Sequence, residues 1–136
     1  MAVQKTFYNP ELEQSASYTE QWVIEFVQVL DQKQLRVKHH YWLDANGVKW
    51  TDFDHPFENL FEDFTAYRLA VHYLQPSEIQ TYRQQYRMNL SDLAQVSGLS
   101  VAVLQAIEKN ERLQTSAEDA ALRRVFDAAE TSRLEL

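Results

Sequence analysis

The chain of 136 residues has no cysteine. That excludes disulfides, cysteine-ligated zinc and iron–sulfur clusters, and it fits a reducing cytoplasm. Glycine occurs twice and proline three times, too few for a flexible linker or a disordered segment. No apolar run approaches the eighteen or so residues of a membrane span. The opening Met-Ala-Val-Gln-Lys-Thr-Phe does not read as a signal peptide. A basic excess is missing too: the net charge is −7. Residues 1–75 carry six basic and eleven acidic side chains, residues 76–136 seven and nine. Neither half is a basic module of the kind that binds nucleic acid by bulk charge. Any affinity for DNA must come from a local patch such as Arg83, Arg87, Lys109 and Arg112, helped by helix N-termini. The sequence also lacks a phosphate-binding glycine loop, a nucleophile elbow and any metal-ligand spacing. The expectation is therefore no enzyme, no cofactor, no metal and no catalytic residue.

What is present is a hydrophobic share of 45%, enough for a core in one domain or two small ones. Residues 2–8 read as a short strand, broken at Asn9-Pro10, with Glu11–Ser17 a polar loop. From Tyr18 to Leu30 the β-branched and aromatic content favours a strand. Tyr18, Trp22, Ile24, Phe26 and Leu30 alternate with Thr19, Gln21 and Glu25. A capping-box spacing at Ser17 and Glu20 leaves a helix as the alternative. After a turn at Asp31–Gln34, residues Leu35–Leu43 alternate again. Leu35, Val37, His39, Tyr41 and Leu43 fall on one side, Arg36, Lys38, His40 and Trp42 on the other. Asp44–Gly47 is a hairpin turn, with Asn46-Gly47 supplying positive φ angles, and Val48–Thr51 returns as a strand. Phe57–Tyr73 reads as a helix whose wide apolar face needs a partner, most naturally the strands. Ser116–Thr131 reads as a last amphipathic helix, with a fraying tail over Ser132–Leu136. The expected fold class is α+β: an antiparallel β-meander packed on a helix over residues 1–75, then an all-α segment over 76–136.

The second part is organised around Leu90–Lys109. Leu93, Leu99, Leu104 and Ile107 are apolar, Ala94 is small, and Gly98 stands between two short helical patterns. Two helices crossing steeply over a tight turn need those residue types at those places. Asn89 and Ser100 each precede a helical pattern and suit N-caps. Pro76 suits the first turn of the helix before them.

Residues 76 to about 128 resemble the Cro/C1-type (XRE) helix-turn-helix family. The resemblance rests on Ile79 with Tyr82-Arg83, Leu93-Ala94, Ser97-Gly98-Leu99-Ser100 and Ala106-Ile107-Glu108-Lys109-Asn110. It implies an ion pair between Arg83 and Glu108. It also implies DNA contacts from Asn89, Ser100, Val101, Ala102, Gln105, Ala106, Lys109 and Arg112. Across residues 36–90 the chain is also similar to MqsA-like and Panacea-associated antitoxins, in which an N-terminal domain binds a partner and the C-terminal domain binds operator DNA. The zinc version of that arrangement needs cysteines this chain does not have.

Val101, Ala102 and Ala106 can touch a thymine methyl but cannot read a guanine. Asp52, Asp54, Glu58, Glu62 and Asp63 form a run with no basic residue between 50 and 67. They read as a docking face for a basic partner, such as a toxin, or as a solvated helix start favoured by the helix dipole. His39, His40, His55 and His72 read as ordinary surface or half-buried histidines. The favoured function is a cytoplasmic transcriptional regulator or antitoxin that binds operator DNA as a homodimer. Leu113, Leu122, Val125 and Phe126 are the apolar candidates for its interface, some of them needed for the core. The alternative is an interaction protein that does not bind DNA, such as a phage-encoded inhibitor of a host nucleoprotein, working through acidic and apolar surfaces.

Overall fold

The computed structural model describes residues 2–134. It is mixed α+β: a four-stranded antiparallel sheet is followed by five helices. The chain divides into two compact units, up to Tyr67 and from Arg68 onward, and the division falls inside a helix.

The sheet has the order β1-β2-β3-β4, with β1 at Gln4–Asn9, β2 at Gln14–Val29, β3 at Gln32–Leu43 and β4 at Lys49–Trp50. The expected loop at Glu11–Ser17 is instead a tight turn, with β2 beginning at Gln14 opposite Asn9. Asn9 makes the turn, because its Oδ1 accepts from the N–H groups of Glu11 (2.9 Å) and Leu12 (3.2 Å). Strand pairing needs backbone, not apolar side chains, so polar Gln14–Ser17 joins the ladder. The turn at Asp44–Gly47 takes its positive φ from Gly47 alone (77°), and Asp44 Oδ1 receives the N–H groups of Asn46 and Val48.

Register decides which stripes share a face. Trp22 lies opposite His40, Ile24 opposite Lys38 and Phe26 opposite Arg36. The apolar stripe of β2 therefore shares a face with the cationic stripe of β3, and not with Leu35 and Val37. Trp22, Ile24, Phe26 and Leu30 are exposed, while Leu35, Val37 and His39 are buried on the opposite face. The buried aromatic cluster sits nearer β1, where Phe7 stacks on Tyr18 at 4.1 Å and meets Trp42 edge-on at 5.9 Å.

The first helix, α1 (Glu58–Val71), joins the sheet through polar groups and not through a wide apolar face. Phe57 and Leu60 are exposed. Asn59 instead satisfies the outer edge of β3: its Oδ1 accepts from His40 N–H at 2.8 Å and its Nδ2 donates to His40 C=O at 2.9 Å. An asparagine side chain thus stands in for a strand beside a stretch of β3 that β4 does not reach. Tyr67 closes this unit, its hydroxyl donating to Asp31 at 3.3 Å.

The second unit holds α2 (Pro76–Gln85), α3 (Leu90–Ser97), α4 (Val101–Glu108) and α5 (Ser116–Leu134). Reciprocal caps start two of them, Asn89 with Asp92 and Thr115 with Glu118, and at the start of α2 Glu78 accepts from the Gln75 N–H at 2.9 Å. The core is Leu74, Ile79, Leu93, Leu104, Ile107, Leu122 and Phe126, so Leu122 and Phe126 serve the interior and not a dimer interface. Leu113 and Val125 are half-buried. The Asn110–Thr115 connection is not an exposed loop. Gln114 is buried within it, donating to Leu74 C=O at 2.7 Å, and Arg68 is wholly buried against the same segment. α5 continues through Leu134, past the expected end at Thr131. The remainder of the expected tail, Glu135 and Leu136, lies outside the described residues. Among the described residues no single helix is long and apolar enough to cross a membrane.

Candidate nucleic-acid interface and the histidine clamps

α3 and α4 are eight residues each and are bent against one another by 116° across Gly98–Ser100. Gly98 ends α3 in the left-handed conformation (φ 80°), and its N–H closes on Ala94 C=O. Ser100 then starts α4, its Oγ accepting from Val103 N–H at 3.1 Å. Leu93, Leu104 and Ile107 fill the angle between the helices. Arg83 on α2 holds the far end of α4 by a fork. Nε lies 2.9 Å and Nη2 3.0 Å from the two carboxylate oxygens of Glu108, and Nη1 donates to Met88 C=O. Two parallel charge-assisted bonds fix an orientation that a single bond would not.

With its inner side set in this way, α4 turns Ser100, Val101, Ala102, Gln105 and Lys109 outward, with Ala106 half-buried. Asn89 is exposed but committed to capping α3, its Oδ1 accepting from Asp92 N–H at 2.8 Å. Arg112 is drawn away from the expected surface: its Nη2 sits 2.6 Å from Glu118, and its Nε donates to Leu113 C=O. Lys109 is exposed and in no ion pair among the described residues. One fully available cation and one long amide make a small polar surface on a mostly apolar helix.

The acidic run does not form one outward face. Asp63 and Glu58 turn onto His39 and His40, each at 2.5 Å. Asp52 is buried, accepting from Trp42 Nε1 (3.2 Å) and Asp54 N–H (2.8 Å). Asp54 pairs at 3.6 Å with Lys5, and Glu62 is exposed.

Sequence reasoning missed what the inward carboxylates do. His39 and His40 are neighbours on β3 and point to opposite faces of the sheet. Each imidazole bridges a β2 carboxylate and an α1 carboxylate. His39 Nδ1 is 2.8 Å from Glu25 and Nε2 is 2.5 Å from Asp63. His40 Nε2 is 2.8 Å from Glu20 and Nδ1 is 2.5 Å from Glu58. With Asn59 between them on the backbone, the two clamps tie helix to sheet from both faces. Burial works against a charged imidazole, but the paired carboxylates outweigh it and raise both histidines above their ordinary pKa. Glu25 also accepts from the Tyr41 hydroxyl. That bond, then the one to His39, holds the Glu25 carboxyl down at about 2. Burial and the same carboxylate push Tyr41 up to about 12. The signal was present as two adjacent histidines in a strand and the acids Glu58 and Asp63 in the helix pattern, but only the register shows which acids meet them.

His40, Asp52 and Glu58 each bring one ligand atom within 4.8 Å of the others, a spacing that would suit a divalent cation. The imidazole itself already bridges two of the surrounding carboxylates, Glu20 and Glu58. No protein-family model, curated protein or solved structure matches this chain.

Proposed function

We propose that α3 and α4 form a helix-turn-helix of the Cro/C1 type and that the protein is a transcriptional regulator binding operator DNA as a dimer in the cytoplasm. The observation that supports this most is the seating of α4. A short helix with a capped N-terminus is held at a steep angle to α3 by a glycine turn, a buried apolar joint and a bidentate Arg83–Glu108 fork. In this reading α4 enters the major groove, Gln105 reads an adenine edge through two hydrogen bonds, and Lys109 meets a phosphate. Ser100 and Asn89 place two helix N-termini, with their unpaired N–H groups, where a phosphate backbone would pass. Val101, Ala102 and Ala106 confine apolar contacts to thymine methyls.

A regulator that doubles as an antitoxin would use residues up to Tyr67 to hold a protein partner. The exposed Phe57 and Leu60 favour that addition, because large apolar side chains left uncovered near one another mark contact surfaces. Selection from a random duplex pool at low salt tests the DNA reading. An enriched inverted repeat containing A·T pairs at the positions α4 reaches supports it, and a pool that stays unenriched rejects it.

A further inference from the structure

We infer that the protein self-associates through the open edge of β2, two copies pairing antiparallel about Ile24. β1 runs out at Gln4 opposite Thr19, and Val3 C=O takes the N–H of Glu20 at 2.8 Å. Beyond that point β2 has β3 on one side and, among the described residues, no strand on the other. The direction of the open groups follows from two observations. The Glu20 N–H points toward β1, so the even-numbered residues of β2 turn their backbone groups to that edge. On β3, His40 turns its N–H and C=O outward to Asn59. Trp22 faces His40 in the ladder, and facing residues either exchange both bonds or neither, so Trp22 also points its groups away. The alternation stays regular through Phe26 and breaks only at the bulge between Val27 and Val29. Trp22, Ile24 and Phe26 therefore each present an N–H and a C=O on an unpaired edge.

The same three residues carry exposed apolar side chains, at 54%, 42% and 67%. An open, apolar edge is a template for another strand, and proteins that keep such edges bare protect them with lysine, proline or an inward charge. Between Gln21 and Leu30 the only charge on β2 is Glu25, which is bonded to His39 and Tyr41. The occupant this edge fits is its own copy, because the three outward side chains run aromatic, Ile24, aromatic and so match themselves when the strand is reversed about Ile24. A two-fold axis at Ile24 sets Trp22 against the partner's Phe26 and Ile24 against the partner's Ile24. Six backbone bonds close the edge, and aromatic pairs cross it on one face. On the other face Glu25 meets the partner's Val23, so no like charges oppose there. Moving the axis to Glu25 would set Glu25 against itself, which fixes the register. The pairing is isologous and closes after two copies.

The test uses the full chain without DNA, so it fails or succeeds independently of the operator reading. Light scattering at tens of micromolar should give twice the 16.0 kDa chain mass. Ile24→Pro removes only an outward N–H, which an edge strand tolerates, and Ile24→Lys places a charge against itself across the axis. Both should return the mass to one chain with unchanged circular dichroism. Hydrogen exchange provides a reading that needs no variant: the Trp22, Ile24 and Phe26 amides should be protected at high concentration and lose that protection on dilution. A wild-type monomer at this concentration overturns the inference, as does a dimer that survives both substitutions. Fast exchange of those three amides in a species of doubled mass overturns it too. A monomer whose edge amides become protected only on adding a different protein assigns the edge to that protein and also contradicts it.

Discussion

Two histidines and one arginine carry most of the buried charge. His39 and His40 have raised pKa values in the folded state, so folding favours their protonated forms. Their contribution is fully present below the unfolded pKa of 6.5 and is lost as pH rises through the higher folded value. Glu25 works in the opposite sense: its contribution is present above 4.5 and is lost as pH falls toward about 2. Residues up to Tyr67 should therefore be most stable between roughly pH 4.5 and 6.5. All three tryptophans, Trp22, Trp42 and Trp50, lie there, so selective tryptophan fluorescence reads that unit alone. Its thermal midpoint should fall from pH 6 toward pH 9, and His39→Asn should flatten the slope. A midpoint that stays level over that range contradicts the clamp account. Arg68 differs because its acceptors are neutral: Gln114 Oε1 at 2.9 Å, Asn110 Oδ1 at 2.5 Å and Arg112 C=O at 3.0 Å. Burial lowers it to about 10, which still leaves it charged at neutral pH. Arg68→Met should cost roughly 1–3 kcal/mol for each acceptor left unpaired. Urea unfolding followed by far-ultraviolet circular dichroism measures it, and a loss under about 0.5 kcal/mol, the size of a surface substitution, would show that water replaces the guanidinium.

At the scale of elements, the turn between α3 and α4 separates conformation from packing. A Cβ on Gly98 would meet nothing within 4 Å, yet φ is 80°. Any cost of Gly98→Ala is therefore conformational, about 1–2 kcal/mol, and Gly98→Asn should recover much of it because asparagine tolerates that region. Equal losses for the two variants would mean that the turn is held by something other than backbone preference. Here the sequence was legible: caps, glycine, small residue and apolar joint all lie within twenty residues and depend on local spacing. The sheet was less so. Each strand of the β2–β3 pair showed its alternation, but which stripe of one shares a face with which stripe of the other depends on a register set by the turn at Leu30. A shift by one residue exchanges the faces. The carboxylates of α1 were visible only as an acidic run, because their targets lie some twenty residues back along the chain. Arg68 and Gln114, forty-six residues apart, gave no local signal.

At the scale of the whole molecule, a chain of net charge −7 cannot hold DNA by bulk attraction, so the proposed binding must rest on a few positioned groups. That makes the account exposed to single substitutions. The most direct measurement is fluorescence anisotropy of one selected duplex, over a series of salt concentrations, with wild type, Gln105→Ala and Lys109→Ala. Gln105→Ala should lose about 1–3 kcal/mol on the selected duplex and little on a scrambled one. Lys109→Ala should weaken both duplexes alike and flatten the salt dependence by about one unit of slope. If Gln105→Ala and Lys109→Ala leave binding to both duplexes unchanged, α4 is not the reading helix and the central claim is wrong.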